Sequence, residues 1–150
     1  MSRFTHFCST RWSDLDARGH VADTSYLRYL QECRLELIYR LLPLYEAEDL
    51  ARGSVVTRQC MTYLRPLYHR AEPITVETWV TDMKAALVRF AYVVRDHARA
   101  YVEGEADLVP VDLRYGTPRR FTENERTHFR AYWEREVTSH PAAALAEHGG

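Results

Sequence analysis

The most regular run of hydrophobic and polar positions in the chain lies between Thr24 and Leu42. Leu27, Leu30, Cys33, Leu37 and Leu41 recur at intervals of three and four residues, while Arg28, Glu32, Glu36 and Arg40 fall between them. That spacing gathers the apolar side chains on one stripe of an α-helix. Asp23, Thr24 and Ser25 supply N-cap chemistry at its start, and Pro43 closes the pattern. A helix of this length is a rod of about 28 Å, long enough to cross a sheet of several strands.

Beyond Gly53 the period changes from helical to alternating. The runs 54–65, 73–83, 87–96 and 100–115 are rich in β-branched and aromatic residues and separated by short breaks, which predicts four antiparallel strands. The alternation is cleanest where Ile74, Val76, Thr78 and Val80 oppose Thr75, Glu77, Trp79 and Thr81. A looser alternation over residues 4–11 predicts a first strand, and Trp12 to Asp23 reads as a polar loop. Residues 96–99 turn the chain, and Gly104 and Pro110 mark a bulge or interruption within the last strand. Thr122-x-x-Glu125 has the form of a capping box opening a short helix to about Val137, and the Ala-rich tail 139–150 is expected to fray. One long helix followed by a run of antiparallel strands is an α+β arrangement, here a single domain over 1–138.

Composition narrows the function classes. A chain of 150 residues is of one-domain size. Its 20 basic and 21 acidic residues nearly cancel, which argues against a nucleic-acid or polybasic membrane partner. Lys84 is the only lysine, and the excess of arginine reads as compositional bias. Cys8, Cys33 and Cys60 are odd in number and form no C-x-x-C motif, so they read as reduced, mostly buried thiols. No apolar run approaches the length of a signal peptide or a membrane span, and a cytoplasmic location is expected.

The loop ahead of the helix, Arg11-Trp12-Ser13-Asp14-Leu15-Asp16-Ala17-Arg18-Gly19-His20-Val21, carries two carboxylates and a glycine. An acid or base there lies beside a helix start whose unpaired N–H groups and positive partial charge suit a developing oxyanion. The string Asp16-x-x-Gly19-His20-Val21-x-x-x-x-Tyr26-Leu27-Arg28-Tyr29-Leu30-x-Glu32-x-Arg34 resembles the start of the 4-hydroxybenzoyl-CoA thioesterase family of hotdog-fold acyl thioester hydrolases. Tyr63-Leu64-Arg65-Pro66-Leu67 and Ile74-Thr75-Val76-Glu77-Thr78 follow in the family's order, and the resemblance covers about residues 5–120. It implies a hotdog fold, in which a curved antiparallel sheet wraps around one long central helix. It further implies hydrolysis of an acyl-CoA or acyl-carrier-protein thioester, with no metal or bound organic cofactor. The implied assembly is a homodimer or homotetramer whose sheets join edge to edge.

By the same resemblance Asp16 is the catalytic carboxylate, either attacking the thioester carbonyl to give a mixed anhydride or acting as general base on a water. Gly19 lets the backbone turn sharply near the substrate, and His20 orients the loop or touches the acyl group. The N–H near Asp23 is the oxyanion donor, a type of contact worth about 2.7–4 kcal/mol. From the residues alone, Asp14 and Asp16 read equally as solvated loop or capping carboxylates, and His20 as structural. Relatives tend to carry Asn-Asn where this chain has Ala22-Asp23, an acidic residue at Gln31 and Asn at Ser25.

Tyr26 and Tyr45 are candidates to line an acyl tunnel, whereas Tyr29 and Tyr39 are expected in the core. The turn Met83-Lys84-Ala85-Ala86-Leu87, often basic in relatives that use coenzyme A, keeps only Lys84. Arg89, Arg119 and Arg120 are further candidates for phosphate or ordinary surface residues. A carrier-protein thioester, which lacks the nucleotide, therefore remains open. There is no G-x-S-x-G elbow, Walker loop or H-E-x-x-H motif. Two other readings stand beside the hydrolase. One is a hotdog protein that binds an acyl chain or a partner without catalysis, motivated by Ala22, Asp23 and Gln31. The other, ranked last, is a hydratase, for which no matching second acid/base residue is present.

Overall fold

The computed structural model describes residues 3–134. Strand β1 (Phe4–Cys8) leads through a 3-10 turn at Trp12–Asp14 into helix α1 (Asp23–Leu41). Helix α2 (Leu44–Arg52) follows, then β2 (Ser54–Tyr63), β3 (Ile74–Lys84), β4 (Leu87–Arg95), β5 (Ala100–Pro110) and helix α3 (Glu123–Arg130). The five strands form one sheet in the order β1-β3-β4-β5-β2 with every neighbour antiparallel.

The helical stripe is the heart of the core. Tyr26, Tyr29, Leu30, Cys33, Leu37 and Ile38 of α1 are buried in one cluster with alternate residues of the sheet: Ile74, Val76 and Val80 of β3, Phe90, Tyr92 and Val94 of β4, and Val102, Ala106 and Leu108 of β5. Each fully buried aliphatic side chain contributes about 1.5–3 kcal/mol. At Gly104 of β5 a Cβ would stand 3.6 Å from Leu30 Cδ1, an ordinary contact, and 3.1 Å from the Cys60 carbonyl oxygen of neighbouring β2, a tight one. The fold is the expected α+β hotdog.

Several expectations are corrected. Helix α1 starts at Asp23, with Ala22 as an N-cap residue that offers no side-chain bond. Leu27, the first leucine of the predicted stripe, is 40% exposed, and Tyr26 beside it takes the buried position. Residues 44–52, which carry no predicted element, form α2; Pro43 ends one helix and, with φ −55°, opens the next. Strand β1 stops at Cys8 because Thr10 turns away to bond His69 and the Arg70 main chain. Strand β5 ends at Pro110, which has no N–H to donate, instead of running to 115. Gly104 sits in regular register opposite Met61 and Tyr92, and the irregularities fall at Val56/Arg58, Val80/Asp82 and Val94/Arg95.

The Thr122–Glu125 capping box forms in both directions, yet α3 ends at Arg130 and the chain turns back along β3. The predicted end at Val137 and the tail 139–150 lie outside the described residues. Tyr29 is core, but Tyr39 is 44% exposed because it projects from the opposite side of α1 to the buried stripe. Only Cys33 of the three free cysteines is buried; Cys8 is partly exposed and Cys60 exposed.

The edge strands of the sheet are β1 and β2, and β1, like β2, has no partner on its outer side among the described residues. The outer side of β3 is covered by β1 from Ile74 to Thr78 and by residues 132–134 at Val80, where the Val80 N–H donates to the Tyr132 carbonyl and the Glu134 N–H to the Val80 carbonyl. No described helix is long and apolar enough to cross a membrane.

Carboxylate–arginine contacts tie the elements together: Asp96 to Arg70, Asp107 to Arg89 and Glu125 to Arg119. The Tyr101 hydroxyl and Arg70 hold Asp96 well below the usual carboxylate range, and Arg89 lowers Asp107. Burial raises Glu125, but Arg119 and the Thr122 cap outweigh it and the net shift is downward. A carboxylate whose folded pKa lies below its unfolded value stabilises the fold fully above the unfolded value, about 4, and loses that stabilisation as pH falls through the folded one. Melting temperature should therefore be level through neutral pH and drop below about pH 4, which thermal unfolding in a pH series will check.

Candidate active site

The loop between the 3-10 turn and α1 closes on itself. The Asp16 N–H donates to the His20 carbonyl at 2.7 Å and the Gly19 N–H to the Asp16 carbonyl at 3.1 Å, while Leu15 and Val21 pair as a bridge. The turn requires a left-handed residue, supplied by Gly19 at φ +78°. On its far side the loop is tied to the segment after β2: the Val21 N–H donates to the Leu67 carbonyl at 2.8 Å, and His20 bridges to Tyr68.

Inside this turn the Asp16 carboxylate has a defined seat. Its Oδ1 accepts from the Arg18 N–H at 2.8 Å and from the His20 N–H at 3.1 Å. These two main-chain donors hold Asp16 below the usual carboxylate range, and Oδ2 has no hydrogen bond to any described residue. The His20 ring packs edge-on against Tyr68 with centroids 4.7 Å apart.

The start of α1 adjoins the turn. Ala22 and Ser25 are fixed by the Asp14 main chain, whose carbonyl accepts from the Ala22 N–H at 2.8 Å and the Ser25 hydroxyl at 2.9 Å. The Asp23 N–H, the first of the helix, has no acceptor among the described residues. The exposed Asp23 carboxylate accepts from the Thr24 N–H at 2.9 Å, and the Asp23 carbonyl accepts from the Tyr63 hydroxyl at 3.1 Å. The Tyr63 ring packs on Tyr26. Tyr26 is buried at 2% exposure, and burial pushes its phenol up to about 12.

Asp16, Gly19, His20 and Asp23 thus come together at one loop–helix junction, with Tyr26 just inside it. Lys84 and Arg89 do not join them. Lys84 ends β3, while the loop lies at the strand's other end beside Ile74 and Leu67, so ten residues of strand, about 33 Å, separate the two within one chain. The Arg89 guanidinium is paired with Asp107 at 2.6 and 3.0 Å, and Arg119 with Glu125 and Asp49. Tyr45 is exposed on α2. Asp14, Tyr63 and Tyr68 at this junction carry no periodic signal. The three-residue spacing of Arg11 and Asp14 is the one local sign, since the Asp14 carboxylate accepts from the Arg11 N–H.

The left-handed turn gives a direct test. Nothing lies within 4 Å of a Cβ at Gly19, so a substitution there costs backbone strain alone. Gly19→Ala should cost about 1–2 kcal/mol and Gly19→Val more, with Gly19→Asn tolerated best, as read from urea midpoints.

Residues 10–143 match the family model of the thioesterase-like superfamily. No curated protein matches the sequence. Among solved structures, a thioesterase from Thermus thermophilus complexed with coenzyme A and Zn is 25% identical, with a TM-score of 0.74 over 89% of this chain and 96% of that one. A hypothetical protein from Staphylococcus aureus in complex with CoA is 19% identical, with a TM-score of 0.79 over 93% of this chain and 89% of that one. A DHNA-CoA thioesterase from Staphylococcus aureus is 18% identical, with a TM-score of 0.76 over 100% and 97%. The last two bear on the fold alone, and the family match spans nearly the whole described chain. This protein belongs to the thioesterase-like superfamily.

Proposed function

We propose that the protein hydrolyses an acyl-CoA or acyl-carrier-protein thioester, with Asp16 as the reacting carboxylate and the Asp23 N–H as oxyanion donor. The observation that carries this reading is their juxtaposition. A carboxylate fixed through one oxygen, with the other unengaged, stands at the same junction as a helix-start N–H that lacks an acceptor among the described residues.

The thioester carbonyl oxygen would accept from the Asp23 N–H, where the helix start favours the negative charge that builds on it. Asp16 Oδ2 then attacks the carbonyl carbon. The C–S bond breaks, the sulfur leaves as a thiolate that takes a proton from water, and the acyl group stays on Asp16 as a mixed anhydride. Water cleaves the anhydride, releasing the acid and restoring the carboxylate. The main-chain donors that lower Asp16 keep it ionised at neutral pH, as attack on the carbonyl and general-base catalysis both require, so isotope exchange has to separate the two routes. His20, packed against Tyr68, serves as a wall of the site, and Tyr26 as its floor.

Of the two open edges, that of β2, ten residues long against five for β1, supports a homodimer joined there, since an uncovered strand edge is a template for pairing. Lys84 and Arg89 would then meet substrate phosphates only from a second subunit. The likeness to a thioesterase complexed with coenzyme A supports a CoA thioester as the first substrate to test. The exposed carboxylate of Asp23 is the observation favouring a binding protein without turnover.

Thiol release from a panel of acyl-CoA and acyl-pantetheine thioesters separates the two. Asp16→Asn should lower kcat by about two orders of magnitude or more with an unchanged melting temperature. Binding without thiol release, or a variant equal to wild type, would establish the non-catalytic reading. Repeated turnover in 18O-water, followed by peptide mass analysis, should place label in Asp16 through attack of water at the aspartyl carbon of the anhydride. General-base catalysis produces no such exchange.

A further inference from the structure

We propose that Asp14 is the positioning residue of this site, the one that holds the Asp16 turn and the first N–H of α1 in fixed relation. The inference rests on the hydrolase reading above. Asp14 is 1% exposed, although it lies in a polar loop two residues from the partly exposed Asp16. Its Oδ2 accepts from the Tyr29 hydroxyl at 2.6 Å and from the Arg11 N–H at 3.0 Å. Its Oδ1 has no hydrogen-bond partner among the described residues; the solvent-facing Arg11 guanidinium stands 3.5 Å from it. A buried carboxylate left half-satisfied is costly, so its presence calls for a role that solvation does not supply.

That role follows from what the same residue does with its main chain. The Asp14 carbonyl accepts both the Ala22 N–H and the Ser25 hydroxyl, and so binds the end of the loop and the first turn of α1. Asp14 therefore touches both sides of the junction: the side chain anchors it to Tyr29, more than a turn into a buried helix, and the carbonyl pins residues 22 and 25. Everything between, including Asp16 and the Asp23 N–H, is closed between those two attachments. Tyr29 is itself immobile, at 1% exposure and packed edge-on against Tyr26. Burial and the neighbouring Asp14 carboxylate both push the Tyr29 phenol above its ordinary value, so its proton stays on and continues to donate. Burial pushes Asp14 up, but the Tyr29 hydroxyl and the Arg11 N–H outweigh it, and the carboxylate stays ionised as acceptor.

A misplacement of about 1 Å between reacting group and oxyanion donor can cost about a hundredfold in rate. Loss of the Asp14 anchor should thus lower kcat while leaving substrate affinity, which depends on the rest of the cleft, nearly unchanged. Asparagine should rescue it, because an amide oxygen at the Oδ2 position keeps both hydrogen bonds.

The experiment compares Asp14→Ala, Asp14→Asn and Tyr29→Phe with wild type for kcat and KM in thiol release, and by hydrogen–deuterium exchange over residues 14–25. The expected result is a fall in kcat of about thirtyfold or more for Asp14→Ala and about tenfold for Tyr29→Phe, with KM within about threefold. Asp14→Asn should stay within about fivefold of wild type, and exchange at Ala22 and Asp23 should quicken in Asp14→Ala and Tyr29→Phe only. Unchanged kcat in Asp14→Ala, a loss confined to KM, or asparagine as damaging as alanine would overturn the proposal. If Asp14→Ala does not fold, Tyr29→Phe decides by the same criteria, since it removes one hydroxyl from a filled site. Failure of the hydrolase reading shows separately, as an Asp16→Asn variant with full activity or a wild type with no turnover; in either case the exchange measurement alone decides whether Asp14 holds the junction.

Discussion

The seating of α1 on the sheet is the constraint from which the rest of the structure follows. Its buried stripe meets three strands at once, and over Gly104 it comes to van der Waals distance of the sheet backbone, where Leu30 would touch a Cβ. A helix held that tightly has no freedom to slide. Core packing therefore places the helix, and the loop before it must end where the helix begins. Apolar packing thus fixes where the helix lies, and the Asp14 contacts to Tyr29, Ala22 and Ser25 tie the loop to it.

The parts of the fold most legible in the sequence are those where one periodicity dominates. Leu30, Cys33 and Leu37 on α1 and the alternation from Ile74 to Val80 on β3 state their buried faces residue by residue, and both faces are the ones observed. Legibility fails where a side chain has two roles. Pro43 ends α1 and also opens α2, and the short second helix buries only Ala47 and Leu50, too few to form a stripe. Tyr39 reads as core by residue type, although its angle on the helix turns it outward, and Leu27 gives up its place at the edge of the stripe to Tyr26. Pro110 and Gly104 look alike as strand breakers, yet one ends β5 for want of an N–H while the other belongs inside it for want of a side chain.

The candidate site is legible to a different degree. Nothing in spacing or composition distinguishes Asp16 from a solvated loop carboxylate; family resemblance alone singles it out. Asp14 shows the converse case. It reads as an ordinary loop acid, and its burial depends on Tyr29, fifteen positions along the chain, turning inward from a helix whose placement is a property of the whole core. Such a pair has no local signature, because the two residues are brought together by packing and not by sequence spacing.

The chemistry proposed for the junction relies largely on backbone groups. The donors that seat Asp16 are the N–H groups of Arg18 and His20, and the proposed oxyanion donor is the N–H of Asp23. None of these depends on the identity of the side chain at its position. Ala22 caps α1 without a side-chain hydrogen bond, yet its own N–H is satisfied by the Asp14 carbonyl, so the helix start keeps its geometry. Asp23 brings a negative charge to the same turn, but that carboxylate accepts from the Thr24 N–H and stands exposed, where water screens it. Ala22 and Asp23, where relatives tend to carry asparagines, therefore change the rim of the proposed site and its electrostatic surroundings, while the main-chain groups proposed to meet a substrate carbonyl keep their geometry. Substitutions that change φ at Gly19 or release the Asp14 anchor act on those groups directly, although neither residue would touch the reacting atoms.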